Sequence, residues 1–517
     1  MSTLKQHCYL LALALACLAA LPKAAADVSL LIPRPKSVTW TQTRLRVGPN
    51  TPLVLSPGAG RMDRMAALSV QTELHEHFGL PRLPLRTASA GAALGTGSPA
   101  LVFGEPGHSP WVRRELQAAG LAPSVRPEGY VLTVGPGGAV VGGHDPAGTF
   151  YGAQTVCQML GRDSQGVFIA GARISDYPTL GWRGAHLFVG DHALPFHKRL
   201  IARIFSRLKM NALVLECEQA RWDTLGKAAP SWAMSKADLR AEVAFARRYG
   251  LVVTPLVNSV GHMPWAFEGG ANLALAEDPQ APYAANVANP ATDRFLFKLY
   301  DEVLNTFKSS SLHIGGDEVA LRGRYPYLSR AKFPTLADAY VAQVTRAHDH
   351  LKARRVRTML WGDMLLASGE AADAASAPSA ASAQRMRDRL PHDIVLTDWH
   401  YRGSGPFASL GVLRGAGFGP IIGATWYETG NIESFSQALA AGRERGLLET
   451  TWAGFNSSEA NLSHDKSQFV AFVLAAECAW NGGGVDAAHL PYDPAQEFDR
   501  LYGAAEEPHR PRARQPH

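Results

Sequence analysis

Two adjacent carboxylates, Asp317 and Glu318, follow a short apolar segment and two glycines in the stretch SSLHIGGDEVALRG. Neighbouring side chains on extended backbone point to opposite sides, so the two acids are not expected to face each other across one bond. They could instead divide acid–base work, with Glu318 protonating a leaving-group oxygen and Asp317 staying ionised to hold the substrate. Two other interpretations stay open: a helix-start cap favoured by the helix dipole, and a metal site formed with His262 and His313.

Four tryptophans stand where predicted strands end. A tryptophan face is flat and apolar, like the C–H face of a pyranose ring, and carboxylates accept hydrogen bonds from hydroxyl groups. A pocket built from both residue types indicates a sugar ligand, although each indole could instead cap the protein core. The four tryptophans are Trp361, Trp399, Trp426 and Trp452.

Apolar strand-like runs alternate with helical segments from Leu180 onwards. Eight such runs fit a (β/α)8 barrel in number and length, and such barrels carry their chemistry at the C-terminal ends of the strands. The runs are WRGAHLFV, NALVLEC, LVVTPLV, SSLHIGG, RTMLWGD, DIVLTDW, PIIGATW and LLETTWA. Besides the tryptophans and the acid pair, the residues at these ends include Glu216, Glu218, Asn258, His262, Asp363, Asp398 and Glu428.

The predicted fold class is α/β, a (β/α)8 TIM barrel catalytic domain preceded by a small α+β domain. Residues 27–178 form the first unit, with an amphipathic helix at RMDRMAALSVQTELHEHFGL and a hairpin at EGYVLTVGPGGAVVGGHD. Residues 179–500 form the barrel, and residues 501–517 are expected to be a disordered basic tail. The Ala/Ser-rich stretch ASGEAADAASAPSAASA is interpreted as a flexible insertion between the fifth and sixth strands.

The first 26 residues have the pattern of a secretory signal peptide: a lysine, an apolar run at residues 9–21, and three alanines before the cleavage site. The run is too short to span a bilayer permanently, and no later segment reads as transmembrane. We therefore expect a periplasmic or secreted protein. Lipid attachment at Cys17 is less favoured, because Ala14 stands where a leucine is usual.

The composition is that of an ordinary soluble globular protein, with 46% hydrophobic and 19% charged residues among 517. The net charge is +6, but the basic residues are scattered and no basic stripe is interleaved with aromatics, so nucleic acid is not expected as a partner. The oligomeric state stays open. Removing the signal peptide leaves Cys157, Cys217 and Cys478, which lack zinc-site spacing and are expected to be buried free thiols.

The stretch HIGGDE closely resembles the signature of glycoside hydrolase family 20, the exo-acting β-N-acetylhexosaminidases. Looser resemblances follow the family's order along most of residues 30–480. EGYVLTV and AGTFYGAQTVCQML are similar to the end of the family's N-terminal accessory domain, and ISDYPTLGWRGAHL to the start of its barrel. VGHMPW is similar to its Pro-Gly-His segment.

The resemblance implies retaining, substrate-assisted catalysis, which needs no second opposed carboxylate. The 2-acetamido oxygen of a terminal β-linked N-acetylhexosamine would attack C1 and form an oxazolinium ion. Asp317 would orient the acetamido N–H, and Glu318 would act as general acid and then as general base. No cofactor and no metal would be required. The substrate-binding residues that the resemblance implies are Arg183, His262, Trp361, Trp399, Tyr427 and Trp452.

The chain also departs from the family pattern. NALVLECEQARW replaces the usual His- and Asp-bearing stretch after the second strand, so Glu216 or Glu218 would substitute, and Asn258 replaces an aspartate. YETGN and TTWAGFNSSE replace Tyr-x-Asp and Trp-x-Glu, which leaves Glu428 and Glu459 as candidate stand-ins. These changes predict a divergent member.

Two alternatives to a hexosaminidase follow from these departures. One is a related exo-glycosidase with a shifted sugar specificity, and the other is a non-catalytic glycan-binding protein on the same barrel. The intact pair Asp317 and Glu318 argues against the second, because a binding protein has no use for a general acid.

Overall fold

The computed structural model describes residues 30–88 and 99–503. The predicted signal peptide and residues 504–517 of the predicted tail lie outside the described residues, so both stay predictions. The predicted start of the tail at residue 501 is wrong, because Leu501 and Tyr502 are buried residues of the last helix. Among the described residues, no helix is long and apolar enough to cross a membrane.

The first unit is a mixed sheet with helices on its faces. Its strands are β1 (Ser37–Arg46), β2 (Leu53–Leu55), β3 (Leu85–Thr87), β4 (Ala100–Gly104), β5 (Tyr130–Gly135), β6 (Gly138–Gly143), β7 (Leu160–Asp163) and β8 (Gly166–Asp176). Its helices are α1 (Arg61–Glu76), α2 (Pro110–Ala118) and α3 (Pro146–Gln158). The strand order is β1-β8-β5-β6-β4-β2-β3, with β7 paired to β8. The predicted hairpin is the antiparallel pair β5 and β6, and α1 and α3 pack together over the sheet's main core.

The second unit is a closed barrel of parallel strands, which confirms the predicted (β/α)8 architecture. The strands are β9 (Trp182–Phe188), β10 (Ala212–Glu216), β11 (Val252–Leu256), β12 (Ser311–His313), β13 (Arg357–Trp361), β14 (Val395–Trp399), β15 (Ile422–Thr425) and β16 (Gly446–Glu449). Each strand pairs with the next in the chain, and β16 closes the barrel on β9. All eight strands therefore fall within the predicted runs or begin one residue before them.

Helices surround the barrel and hold its strands in place. They are α4 (Ala193–Arg199, continued by the π-helix Leu200–Phe205), α5 (Lys236–Arg248), α6 (Pro264–Phe267), α7 (Pro290–Phe307), α8 (Leu336–Lys352), α9 (Ala380–Arg389), α10 (Ala408–Gly415), α11 (Thr429–Gly442), α12 (Glu459–His464), α13 (Lys466–Asn481) and α14 (Pro494–Tyr502). Helix α7 shows how local sequence sets such bounds. The side chain of Asn289 accepts a hydrogen bond from the Ala291 N–H, and a proline occupies the first turn.

The Ala/Ser-rich stretch is packed, so the expectation of a flexible insertion is wrong. Isolated bridges join Ala367 to Ala377 and Ser368 to Ala371, and α9 begins within the stretch. Ala374 is fully buried. Small side chains let this loop lie close against the barrel, and a composition that resembles a linker here serves close packing.

A buried ionic network joins the two units. The carboxylate of Asp176, at the end of β8, accepts hydrogen bonds from Lys209 Nζ at 3.0 Å, Tyr130 OH at 2.8 Å and Trp480 Nε1 at 2.8 Å. Asp176 is fully buried, and Lys209 is 1% exposed. A buried charge pair of this kind is costly to break from one side, so it fixes the first unit against the barrel.

Cys157, Cys217 and Cys478 are buried and free, as the sequence predicts. Cys157 belongs to the core of the first unit, and the other two belong to the core around the barrel. Burial raises the pKa of each thiol, so all three stay protonated and unreactive.

Candidate active site

A cavity of about 510 Å³ opens at the C-terminal ends of the barrel strands. Its size is in the range of small-molecule binding sites. Carboxylates, one histidine and several aromatic rings share its wall, as the sequence predicts for this end of the barrel. The lining residues are Phe188, Glu216, Asn258, His262, Asp317, Glu318, Trp361, Asp373, Trp399, Tyr401, Arg402, Trp426, Trp452 and Phe455.

A sharp backbone bend after β12 carries the acid pair into the cavity. Gly315 and Gly316 have φ angles of 69° and 90°, and Glu318 itself has φ 45°. A Cβ on Gly315 would lie 2.1 Å from Asn258 Oδ1, so only glycine fits there. Since the backbone is not extended, the expectation that the two acids point to opposite sides is wrong. Both carboxylates reach the same histidine.

His262 links the two carboxylates. Its Nε2 lies 3.2 Å from Glu318 Oε2 and 3.4 Å from Asp317 Oδ2. Burial lowers the pKa of His262, but the charges of Asp317 and Glu318 outweigh burial and raise it to about 9. Burial also raises the pKa of Asp317, and the charge on His262 opposes that rise. At neutral pH the site therefore holds an imidazolium between two acids.

Asp363 fixes the backbone of the acid pair. Its Oδ2 accepts a hydrogen bond from the Glu318 N–H at 3.0 Å, and its side chain is fully buried. Burial and the nearby charge of Asp317 raise the pKa of Asp363 to about 7. Within the described residues, Oδ1 of Asp317 is buried and has no hydrogen-bond partner. A buried carboxylate oxygen without a donor is rare in folded proteins, so this atom is suited to accept a hydrogen bond from a ligand.

Aromatic rings share the cavity wall with the acids. Trp361 and Trp452 lie with ring centroids 6.4 Å apart, and Trp361 packs against His313 at 4.5 Å. Trp399 stacks on Tyr401 at 5.0 Å with planes 30° apart, and Tyr401 in turn lies 6.4 Å from Trp452. These flat apolar surfaces beside carboxylates match the mixed character of a sugar ring.

A buried hydrogen-bond chain supports the wall at the end of β10. His186 Nδ1 lies 3.0 Å from the Thr451 carbonyl oxygen, which can only accept, so Nδ1 carries the proton. Burial lowers the pKa of His186 to about 3, so its Nε2 is a bare acceptor 3.1 Å from Glu216 Oε2. Glu216 must then be the protonated partner, and burial raises its pKa to about 7. Asn258 Nδ2 donates to Glu216 Oε1 at 3.0 Å and to Glu218 Oε1 at 3.1 Å.

Two family models match the chain. "Glycosyl hydrolase family 20, domain 2" matches residues 29–177, and "Glycosyl hydrolase family 20, catalytic domain" matches residues 200–401. The chain belongs to glycosyl hydrolase family 20. Within the region matched by the family 20 catalytic domain lie the acid pair, His262 and two of the cavity tryptophans, whereas Trp426 and Trp452 follow it.

Curated relatives are similar over part of the chain. A lacto-N-biosidase of Bifidobacterium bifidum is 28% identical over 251 residues, which are 46% of this chain and 22% of the relative. The beta-hexosaminidase subunit A1 of Dictyostelium discoideum is 28% identical over 215 residues, which are 37% of this chain and 39% of the relative. The alignments thus span well under half the length of these relatives.

Solved structures of family 20 proteins share the fold. The N-acetyl-beta-hexosaminidase of Streptomyces plicatus has a TM-score of 0.66 at 20% identity, covering 92% of this chain and 95% of that chain. The chitobiase of Flavobacterium johnsoniae has a TM-score of 0.66 at 16% identity, covering 92% of this chain and 72% of that chain. At these identities the likeness shows the fold alone.

Arg183, a predicted sugar ligand of this family 20 chain, does not lie in the cavity. It stands at the N-terminal end of β9, opposite the site, and is 1% exposed. Its guanidinium donates to the carbonyl oxygens of Lys209 and Leu180 and pairs with Glu128 at 2.8 Å. The prediction for Arg183 is therefore wrong, because this end of the barrel packs on the first unit.

Tyr427 is likewise not among the cavity's lining residues. Its ring packs edge-on against Trp426, with centroids 4.4 Å apart, and Trp426 forms the wall. Tyr401 lies in the cavity instead, 6.4 Å from Trp452 between ring centroids. Of the other predicted residues, the structure brings together Asp317, Glu318, His262, Trp361, Trp399 and Trp452.

The glutamates that were candidates to replace the missing family carboxylates do not all lie at the cavity. Glu216 lines the cavity and Glu218 lies behind Asn258. Glu428 lies outside this cavity, and Glu459 Oε1 accepts a hydrogen bond from Tyr502 OH. Sequence reasoning missed Asp373, whose Oδ1 lies 2.5 Å from His400 Nδ1 and whose Oδ2 accepts from two backbone N–H groups. Its position in an Ala/Ser-rich stretch gave no signal.

The metal interpretation is not favoured. His262, Asp317 and Glu318 bring three possible ligand atoms within 4.8 Å of one another. These three residues already contact one another, since His262 Nε2 lies 3.2 Å from Glu318 Oε2 and 3.4 Å from Asp317 Oδ2. His313, the fourth predicted ligand, instead accepts a hydrogen bond at Nδ1 from the Gly315 N–H.

Proposed function

We propose that this chain is a retaining β-N-acetylhexosaminidase that uses the substrate's own acetamido group as the nucleophile. The observation that carries the proposal is the buried, unpartnered Oδ1 of Asp317 beside Glu318, with His262 within 3.4 Å of both acids. A desolvated carboxylate oxygen without a partner, next to a general acid, suits a substrate that presents an N–H group close to its reacting carbon.

In the first step the acetamido carbonyl oxygen attacks C1 while the bond from C1 to the leaving oxygen breaks. Glu318 gives its proton to that oxygen, and a cyclic oxazolinium ion forms. Asp317 accepts a hydrogen bond from the acetamido N–H and offsets the developing positive charge. The Glu318 side chain is 32% exposed and that of Asp317 is 17% exposed, consistent with an acid near the leaving group and a deeper stabilising carboxylate.

In the second step water adds to C1 and the ring of the oxazolinium opens. Glu318, now ionised, accepts a proton from the water, which restores the starting state and leaves the product with the configuration of the substrate. The Glu318 N–H bond to Asp363 holds the backbone of the acid through both steps.

The other cavity carboxylates are already engaged, which supports the substrate as nucleophile. Asp373 binds His400 and the N–H groups of Tyr401 and Arg402. Glu216 donates to His186 and accepts from Asn258. Neither is placed as a free partner for Glu318 across a scissile bond, as an ordinary retaining pair requires.

The test is hydrolysis of 4-nitrophenyl β-N-acetylglucosaminide beside the matching β-glucoside, with protein beginning at Asp27. The two substrates share a leaving group and differ in the acetamido group. A strong preference for the acetamido sugar is expected. Similar rates on both would contradict the neighbouring-group mechanism, and hydrolysis of neither would contradict the proposed activity.

A further inference from the structure

A buried hydrogen-bond chain of three side chains lies outside the catalytic cavity. His197, on α4, has its Nδ1 2.7 Å from Glu242 Oε1 on α5 and its Nε2 2.9 Å from Ser457 Oγ. His197 and Glu242 are fully buried, and Ser457 is 5% exposed. A hydroxyl both donates and accepts, so the bond to Ser457 forms in either protonation state of the imidazole. The proposed mechanism uses none of the three residues.

The order of these groups is that of a serine hydrolase triad, in which a carboxylate holds a histidine that activates a serine hydroxyl. A working triad also needs an opening at the serine and hydrogen-bond donors for an oxyanion. Ser457 is buried and does not line the catalytic cavity, so a substrate has no access to its hydroxyl from there. The chain is therefore better explained by what it holds in place than by a second hydrolytic reaction.

The serine end of the chain belongs to the loop that follows β16, residues 450–458. This loop carries two aromatic rings of the cavity wall, Trp452 and Phe455. Trp452 has an anchor of its own, because its N–H donates to Gln468 Oε1 at 2.6 Å. Phe455 lies further along, and Ser457 holds the loop on its other side. Of the two rings, Phe455 therefore depends more on the bond between Ser457 and the histidine.

Phe455 presents an open aromatic face at the cavity. It is 53% exposed, and its ring packs edge-on against Phe188 with centroids 4.9 Å apart. The residue between Phe455 and Ser457 is packed closely, since a Cβ on Gly190 would lie 2.3 Å from Asn456 Oδ1. Close packing transmits small shifts to neighbouring groups. A displacement of Ser457 would therefore displace the ring of Phe455 with it.

We propose that Glu242, His197 and Ser457 are positioning residues that hold Phe455 against the sugar bound in the catalytic cavity. Helices α4 and α5 pack together outside the barrel, and the hydrogen-bond chain ties the loop after β16 to both. An aromatic ring that is fixed before binding loses little conformational freedom when a ligand packs on it. The inference rests on the proposed function, since it assumes that a sugar occupies the cavity.

The test compares two variants of nearly the same shape, Ser457→Thr and Ser457→Val. Threonine keeps the hydroxyl that binds His197 and valine replaces it by a methyl group, so the effect of added bulk is common to both. On 4-nitrophenyl β-N-acetylglucosaminide, KM of Ser457→Val should exceed that of Ser457→Thr about 2–10-fold, the order of one aromatic contact. The two kcat values should be similar, because the acid pair stands on a different loop, after β12. Thermal unfolding shows whether each variant is folded.

Phe455→Ala tests whether the hydrogen-bond chain acts through this ring. Alone, it should raise KM by the same order. In its background Ser457→Thr and Ser457→Val should have equal KM values, because the ring that the serine positions is gone. Thr306→Val is the control for losing a buried hydroxyl elsewhere. It removes a hydrogen bond of 3.0 Å to the Glu302 carbonyl oxygen on α7 and should change neither KM nor kcat.

Hydrogen–deuterium exchange gives a readout that needs no activity. The backbone N–H groups of residues 453–456 should exchange faster in Ser457→Val than in Ser457→Thr, and equal exchange would overturn the inference. Equal KM values, or a KM difference that persists without the Phe455 ring, would also overturn it and leave the hexosaminidase proposal intact. Wild-type protein that does not hydrolyse the glycoside would contradict the proposed function, and the exchange measurement would still decide whether the chain holds the loop.

Discussion

Asp317→Asn is the substitution that most directly tests the neighbouring-group mechanism. It keeps the shape of the side chain and removes the charge that would offset the oxazolinium ion. Two unit charges about 4 Å apart attract by about 4 kcal/mol at an effective dielectric constant near 20. Asp317 is 17% exposed, so solvent screens part of this energy. A loss of about 3–4 kcal/mol corresponds to a fall in kcat/KM of roughly 10²–10³.

The assay measures kcat/KM on 4-nitrophenyl glycosides whose N-acyl group is acetyl, fluoroacetyl, difluoroacetyl or trifluoroacetyl. Fluorine makes the carbonyl oxygen a weaker nucleophile, so the wild-type rate should fall steeply along the series. On the N-acetyl glycoside, kcat/KM of the Asp317→Asn variant should be about two orders of magnitude below that of the wild type, because the variant lacks the charge that offsets the oxazolinium ion. Thermal unfolding checks that the variant is folded.

Two results would refute this reasoning. A wild-type rate that does not respond to fluorination would show that the acetamido oxygen does not attack C1. A loss below about tenfold in Asp317→Asn, less than a single preorganised electrostatic contact usually contributes, would show that Asp317 does not face the developing charge.

Three further predictions follow from the same structure. Glu318→Gln cannot donate a proton, so steady-state hydrolysis of a disaccharide with a poor leaving group should fall by about 10²–10⁴, and that of a nitrophenyl glycoside by less; equal losses would contradict the acid assignment. Asp176→Asn leaves Lys209 buried without its partner, and urea unfolding should show a loss of about 3–5 kcal/mol with kcat unchanged. His262 has a folded pKa of about 9 against an ordinary value of about 6.5. Its stabilising contribution is full below pH 6.5 and is lost as the pH rises through 9. The free energy of unfolding should therefore fall between pH 6.5 and 9 in the wild type, and should fall less over the same range in His262→Asn.

Local signals in the sequence were enough to predict most of the fold. Helix α7 is an example, because Asn289 caps it and Pro290 fits its first turn, and both signals stand at the start of the helix's own segment. The eight barrel strands are apolar runs covered on both faces, and such runs are visible without tertiary information. The packed Ala/Ser-rich stretch was not predictable in this way, since small residues indicate either a linker or a close contact.

Cavity residues could be predicted from the sequence where they directly follow the end of a strand. They could not be predicted where the direction of a side chain determines whether it lines the cavity. The prediction that Arg183 binds the sugar was wrong. It relied on a motif resemblance, although Arg183 stands at the start of a strand and catalytic residues of such barrels follow the strand ends. The prediction that Tyr427 lines the cavity was wrong, because the preceding residue, Trp426, lines it instead. Trp426 Nε1 donates a hydrogen bond to Gln468 Oε1 at 2.8 Å, a tertiary contact that the local sequence does not reveal. Asp373 is held at the cavity by tertiary contacts, with His400 and with the backbone N–H groups of Tyr401 and Arg402, that the local sequence does not reveal.

The charge of the site gives a reason for two departures from the family pattern, Glu216 after the second barrel strand and Asn258 after the third. If Glu216 were ionised, a further buried negative charge would lie near Asp317. His186 opposes this, because its buried neutral ring accepts a hydrogen bond from the protonated Glu216 carboxyl and so favours that protonated form. Asn258, which stands where the family has an aspartate, also limits the negative charge of the site, because its amide donates a hydrogen bond to Glu216 without adding charge. The negative charge beside His262 is thereby left to Asp317, where the proposed chemistry needs it.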